Sequence, residues 1–188
     1  MGRISIPPPV KPVCAILYSA SAPLDRIIAC MESFLGPIDL KSEIYPFTFT
    51  EYYNSRMRLP LMKFFVSFST LMDRESLPDV KRRANRIEDE FSIEDSGTKI
   101  RLVNLDPGYI ARSKLVLAST KNFSHRVYLR DGIFGEVTLT YTKGRFLPNP
   151  WTFSDYRTEI ALSFFTHTRE NYMAQLRQAP SGLSDQGM

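Results

Sequence analysis

The sequence predicts an α+β protein, with a ferredoxin-like β-α-β-β-α-β core extended by a helix, a β-hairpin and a long C-terminal helix. Its 188 residues fit a single domain, and an apolar fraction of 43% is enough to form a hydrophobic core. Short apolar runs alternate with longer stretches whose apolar residues recur at helical spacing, which is the order of the split β-α-β pattern. Helices packed mainly on one face would leave the other face of the sheet open for a site.

Proline and glycine mark the limits of the core elements. Pro23 precedes and Gly36 follows a stretch with apolar side chains at every third or fourth position, which predicts a helix over Leu24–Leu35. Pro46 cannot donate a main-chain hydrogen bond, so the strand that contains it is expected at a sheet edge. The six core elements are a strand at 13–18, a helix at 24–35, strands at 42–50 and 61–69, a helix at 79–91 and a strand at 99–105.

The extension begins with Asp106 and Pro107, two residues typical of a helix start, and this helix is expected to reach Ser119. Further along the chain we predict a hairpin, a second tight turn and a final helix. They lie at 125–142 (strands 125–129 and 134–142 around a three-residue loop), 143–144 and 154–177. The Pro-rich residues 1–11 and the small polar residues 179–188 are expected to be flexible ends of the single domain.

Charge and composition narrow the classes of function. The net charge is +4, and residues 96–160 carry ten basic but five acidic side chains. A local positive excess suits a small anionic ligand or RNA, although ordinary surface lysine and arginine also produce it. With two histidines and two cysteines the chain has no zinc, haem or disulfide pattern, and it has no dinucleotide-binding glycine motif. A hard divalent metal stays open as a cofactor.

Nothing in the sequence indicates export or insertion into a membrane. The first apolar run follows a proline cluster and is too short for a secretory signal, and no stretch approaches the ~20 apolar residues of a membrane span. Cys14 and Cys30 lie in apolar or helix-like runs and are interpreted as reduced thiols. These observations predict a cytoplasmic protein without a membrane partner.

Asp106 is the first candidate catalytic residue. At the end of a predicted strand its carboxylate would face a crevice, where it would serve as a base or as a metal ligand. It also suits the N-cap of the predicted helix, with Pro107 in the first helical position. Both interpretations stay open from the sequence.

The hairpin holds three further candidates. The three-residue loop places Arg126 opposite Glu136 on a polar face, and it places His125 on the apolar face. Arg126 and Glu136 form either a ligand-binding face, with Glu136 as a base, or an ion pair in solvent. His125 is the side chain there that titrates near neutral pH, but its position also fits a hydrogen-bonded core histidine.

Two tyrosines and one arginine complete the candidate set. Tyr52 and Tyr53 follow a predicted strand and cannot both point inward, so one of them would stack on a base or sugar; the alternative is that they line the loop. Arg157 lies at the start of the final helix, where it would bind a carboxylate or phosphate. The alternative there is a helix cap with packed neighbours.

Five segments of the chain form a distinctive series. They are FTFTEYY at 47–53, VNLDPGYI at 103–110, LASTKNFSHRVYL at 117–129, EVTLTY at 136–141 and PWTFSDYRT at 150–158. In this order they resemble an uncharacterised prokaryotic family, domain of unknown function 4416. The resemblance spans about residues 12–175 and implies a single-domain cytoplasmic protein. It implies no activity, so no catalytic residue is carried over from it.

The leading hypothesis is a site that binds an anionic or nucleotide-like small molecule, and whether the site also catalyses a reaction stays open from the sequence. It requires the candidate side chains to converge in one pocket: Tyr52, Tyr53, Asp106, His125, Arg126, Glu136 and Arg157. A second hypothesis is an RNA-binding module, motivated by the ferredoxin-like order and the aromatic sheet residues. A third is a structural or assembly protein, which would expose a large apolar patch.

Overall fold

An antiparallel sheet of nine strands is the framework of the molecule, which a computed structural model describes for residues 4–53, 56–95 and 97–178. The predicted α+β class is confirmed. The nine strands of this sheet are β1 (Lys11–Ser19), β2 (Ile38–Lys41), β3 (Tyr45–Pro46), β4 (Leu61–Phe68), β7 (Val103–Ala111), β8 (Lys114–Ser119), β9 (Val127–Arg130), β10 (Ile133–Thr142) and β11 (Arg145–Pro148). β5 (Ser92–Asp95) and β6 (Thr98–Arg101) form a separate two-stranded sheet. The helices are α1 (Leu24–Leu35), α2 (Leu77–Glu90) and α3 (Glu159–Gln178), and short 3-10 turns lie at Arg74–Ser76 and Ser154–Arg157.

Four strands form the ferredoxin-like core, in the spatial order β7-β1-β4-β2 with every neighbouring pair antiparallel. The central strand β1 is buried along its whole length. Its side chains alternate between the faces: Cys14 and Ile16 pack with α1 and α2, whereas Val13 and Ala15 pack with α3. Two of the three described helices thus lie on one face, but the expectation that the other face is open is wrong, because α3 covers it.

The core elements match the sequence unevenly. α1 has the predicted limits, β1 contains the strand predicted at 13–18, and β4 ends one residue before the limit predicted for it. The strand expected at 42–50 is wrong, since only Tyr45 and Pro46 of that stretch pair, while β2 lies before it. The strand expected at 99–105 is divided between β6 and β7.

The helix predicted over 106–119 is a pair of strands. β7 continues through Asp106 to Ala111, and β8 returns antiparallel to it. In β8 the buried side chains alternate: Leu115 and Leu117 pack towards α3, whereas Val116 packs with a cluster on the α2 side. A strand satisfies this period of two and a helix does not, so Asp106 is a strand residue and not a helix cap.

The hairpin of β9 and β10 turns through two residues, not the predicted three. Asp131 and Gly132 occupy it with φ of 53° and 76°, which suits a type I′ turn. A bulge at Leu129 then restores the predicted partner, Tyr128 opposite Phe134.

A second bulge, at Thr138, changes which face the later residues of β10 occupy. Leu139 thereby reaches the α3 side with Leu115, so the predicted sorting of apolar and polar faces fails beyond this point. Val127 and Leu129, which strand alternation places on the same predicted apolar face as His125, are exposed.

Part of the Pro-rich lead, which was expected to be flexible, packs against the rest of the domain. Residues 8–10 of the Pro-rich lead are packed: the carbonyl of Pro8 accepts a hydrogen bond from Arg74, that of Pro9 accepts one from Tyr172, and Val10 pairs with Met72. The tail at 179–188, expected to be flexible, lies outside the described residues. None of the helices in the described ranges has the length and hydropathy that crossing a membrane requires.

Candidate functional site

The sheet opens between β7 and β8. The two strands pair from Gly108–Leu117 to Ala111–Lys114, and no further pair joins them in the described residues. At Gly108 the strands touch so closely that a Cβ would lie 2.2 Å from the carbonyl oxygen of Val116. The preceding residue, Pro107, has no N–H with which to continue the pairing. The first half of β7 therefore separates from β8.

α2 binds the edge of β7 that this separation exposes. The Leu105 N–H donates to the carboxylate of Glu88 at 2.7 Å, and Lys81 Nζ donates to the Leu105 carbonyl at 2.7 Å. Both helix side chains are buried. α2 packs on the face of the sheet opposite α3. Its side chains Lys81 and Glu88 thus supply polar groups to the opening.

A cleft of about 890 Å³ lies at this opening. It brings together five of the seven candidate residues, Tyr52, Tyr53, Asp106, Arg126 and Glu136, and it does not include His125 or Arg157. The remaining lining comes from the β3–β4 and β8–β9 connections, from β4, β6, β7, β8 and α2, and from the 3-10 turn before α3.

The mouth of the cleft is basic. Arg56 Nη1 and Lys121 Nζ donate to the hydroxyl of Tyr52 at 2.7 and 2.8 Å, and each cation also lies over the Tyr52 ring. The hydrogen bond from Lys121 lowers the pKa of Tyr52. Neither cation forms an ion pair with a carboxylate in the described residues.

Asp106 lies in the wall of the cleft. Its Oδ2 accepts a hydrogen bond from Asn104 Nδ2 at 3.0 Å, and its Oδ1 is 3.8 Å from Lys81 Nζ. Its side chain is 32% exposed, the most of any carboxylate among the buried ion pairs of the cleft. Asp106 is therefore placed to accept a hydrogen bond or a proton from a bound molecule.

Glu136 is buried beneath the hairpin. Its Oε2 accepts hydrogen bonds from Arg126 Nε at 2.6 Å and lies 3.2 Å from His125 Nε2, and Thr138 donates to its Oε1. Arg126 Nη1 also donates to Ser119 Oγ and to a main-chain carbonyl, both at 2.9 Å. This network holds the β8–β9 connection in place and leaves the Glu136 carboxylate no exposed surface.

His125 and Arg157 take other positions. His125 precedes β9, so strand alternation does not apply, and it meets Glu136 instead of the apolar face expected for it; its ring stacks on Trp151 with 5.1 Å between centroids. Arg157 donates to the main-chain carbonyls of Asn149, Pro150 and Thr152. It closes the loop before α3 and lies outside the cleft lining.

Most of the cleft lining was not among the candidates, including Arg56 and Lys121 at the mouth and Lys63, Asn104 and Asp155 in the walls. Lys63 carried a signal, since it is the one charge in the apolar run of β4, LMKFFVSF. Asp155 had only the character of a helix-start residue, and its partner on β4 is far away in the sequence. Within the described ranges, no group of three or more His, Cys, Asp or Glu side chains is arranged to hold a metal ion.

Comparison with known proteins identifies the family. The model of DUF4416, a domain of unknown function, matches residues 8–172, which include every residue of the cleft. Searches among curated proteins and among solved structures found no match. Since the match covers most of the chain, this protein belongs to the DUF4416 family.

Proposed function

We propose that the protein binds a small anionic molecule, phosphorylated or nucleotide-like, in the cleft between β7 and β8. One observation carries the proposal: Arg56 and Lys121 converge on Tyr52 at the mouth, and neither has a carboxylate partner in the described residues. The other basic lining residues are neutralised by ion pairs. These residues are Lys63, Lys81, Lys99, Arg101 and Arg126. The free positive charge of the cleft is thus confined to its mouth.

The walls suit the rest of such a molecule. Phe47, Phe49, Tyr53 and Phe153 supply aromatic surface, and this combination of apolar walls with a few polar groups is typical of small-molecule sites. Asp106 faces the bound molecule from the wall, where it accepts a hydrogen bond. If the molecule reacts, Asp106 is the group that we expect to take a proton.

RNA binding across the sheet has less support. Ferredoxin-like RNA-binding domains stack bases on the sheet face opposite their two helices. Here α3 packs on that face, over Val13, Ala15 and Phe65. The free thiols of Cys14 and Cys30 support the cytoplasmic location that we propose.

Titration calorimetry tests the proposal with two probes, pyrophosphate and adenosine monophosphate. We expect both to bind, and we expect Arg56→Ala and Lys121→Ala each to weaken binding about tenfold or more, since each removes a charge-assisted hydrogen bond. Arg145→Ala removes an exposed charge outside the cleft and should leave binding unchanged. Equal binding by wild type and both cleft variants would refute the proposal. A single-stranded RNA that binds with steep salt dependence would favour the RNA hypothesis instead.

A second candidate function, assembly, is supported by the edge strand β9. Its residues Val127 and Tyr128 and the nearby Phe123 are 70%, 58% and 65% exposed, and β9 pairs with β10 alone in the described sheet. Exposed apolar edge strands pair readily with a second chain. Sedimentation analysis of wild type and Val127→Lys tests this second function. If the protein assembles through β9, wild type is an oligomer and Val127→Lys is a monomer.

A further inference from the structure

The inner end of the cleft carries a second polar cluster, formed by Lys63, Asp155 and Tyr156. The ammonium of Lys63 lies 2.5 Å from Asp155 Oδ2, and the two side chains are only 5% and 6% exposed. The rings of Phe47, Phe65 and Tyr156 surround the ammonium at 5.1, 5.8 and 5.0 Å. The ion pair has no net charge, so this cluster differs in kind from the basic mouth.

Two atoms of this inner cluster have no hydrogen-bond partner in the described residues. They are Tyr156 Oη and Asp155 Oδ2, the latter in contact with Lys63 but not aligned as an acceptor. Tyr156 is 1% exposed. Burial, followed by the charges of Asp106 and Asp155, raises the pKa of Tyr156 well above its ordinary value, so its hydroxyl is a donor at neutral pH. Buried polar atoms normally have hydrogen-bond partners, and both residues line the cleft, from which a bound molecule would supply them.

Aromatic contacts connect the mouth to the inner cluster. The rings of Tyr52 and Tyr53 lie 5.1 Å apart and those of Tyr53 and Phe47 lie 5.9 Å apart, while Phe47 contacts Lys63. These contacts form one continuous aromatic wall, which leads from Tyr52 at the mouth to Lys63 in the inner cluster.

We infer that the ligand is a phosphorylated sugar or polyol, whose phosphate lies between Arg56 and Lys121 and whose hydroxyl groups bind Tyr156 and Asp155. This inference rests on the proposed function, because the basic mouth fixes one end of the molecule. A hydroxyl group both accepts and donates, so one hydroxyl satisfies the Tyr156 donor and the Asp155 acceptor together. A hydrocarbon end would leave both unpaired, and a second phosphate would be repelled by Asp155 and by the neighbouring Asp106.

Titration calorimetry with ribose 5-phosphate and propyl phosphate tests the inference, since the two probes share the phosphate and differ in hydroxyl groups. For wild type we expect ribose 5-phosphate to bind at least tenfold more tightly. Tyr156→Phe keeps the ring and its packing, so it should reduce this ratio towards one while the affinity for propyl phosphate stays the same. Asp155→Asn should reduce the ratio in the same way. Tyr18→Phe removes a buried hydroxyl outside the cleft and serves as the matched control.

The outcomes separate the inference from the proposed function. If wild type binds both phosphates equally, and Lys121→Ala weakens both, the inference is overturned and the basic mouth stands as an anion site. If wild type prefers ribose 5-phosphate and Tyr156→Phe retains the full preference, the inference is also overturned. If neither phosphate binds wild type, both the inference and the proposed function are overturned.

Discussion

The main-chain N–H of Leu105 donates to the carboxylate of Glu88, so a strand that has separated from its neighbour is bound by a helix side chain. Burial raises the pKa of Glu88, and this effect outweighs the opposing effects of Lys81 and of the Leu105 N–H. The folded protein therefore binds a proton at pH values where the unfolded chain has already released it.

The sign of the resulting pH dependence follows from this difference. Between the ordinary glutamate pKa and the raised one, the folded state holds more protons, so the free energy of unfolding falls as pH rises. We expect Glu88→Gln to lack this component. Urea unfolding of both proteins at closely spaced pH values measures it as the difference between the two curves. Parallel curves through that window would contradict the expectation.

Arg126 neutralises the fully buried carboxylate of Glu136. Arg126→Met leaves that charge without its main partner, and we expect a loss of about 3 kcal/mol in the free energy of unfolding. The double variant Arg126→Met/Glu136→Gln removes the charge as well, so it should recover most of the loss. A double-mutant cycle by urea unfolding measures both values. A double variant no more stable than Arg126→Met alone would show that packing, not charge, explains the loss.

Gly108 sets the closest approach of β7 and β8. A Cβ at this position would lie 2.2 Å from a main-chain oxygen that cannot move aside, so Gly108→Ala should cost about 3 kcal/mol. Gly135 is the matched control, since its Cβ would meet only the end of the Leu129 side chain at 3.4 Å. We expect Gly135→Ala to cost about 1 kcal/mol or less. Thermal unfolding of both variants compares the two sites, and equal losses would refute this account of the contact.

The phenol of Tyr52 reports on the mouth of the cleft. Because Lys121 donates to it, its pKa is lowered, and Lys121→Met should move the titration to higher pH. Ultraviolet difference titration measures this once the Tyr52→Phe variant has identified the signal. Lys114→Met changes a lysine outside the cleft and should have no effect on it. An unchanged midpoint in Lys121→Met would mean that the hydrogen bond is absent in solution.

Local signals determine how much of this fold is predictable from the sequence. The limits of α1 follow from Pro23, Gly36 and the apolar stripe between them, all within one short stretch. The residues 106–119 mislead because Asp106 and Pro107 have the chemistry of a helix start. The opposing evidence for a strand is the alternation of Leu115 and Leu117, which extends over only a few residues. The strand forms because β7 pairs with β1, and β1 is far away in the sequence.

The candidate site divides in the same way. Tyr52, Asp106 and Arg126 have chemistry that marks them in the sequence, and the cleft brings them together. The pairing of Lys63 with Asp155 depends on where the chain before α3 meets β4, and no pattern in either segment encodes that contact. His125 misleads because it lies just outside β9, where side chains no longer alternate.

α2 also joins β7 to the β9–β10 hairpin. Near one end of the helix, Glu88 holds β7. Near the other end, Asp79 pairs with Arg130 at the tip of the β9–β10 hairpin. These two attachment points are nine residues apart on a continuous helix, which corresponds to roughly 13 Å along its axis. Because α2 is one continuous helix between these attachment points, the ligand that we propose would meet this side of the cleft already formed, at little cost in conformational entropy.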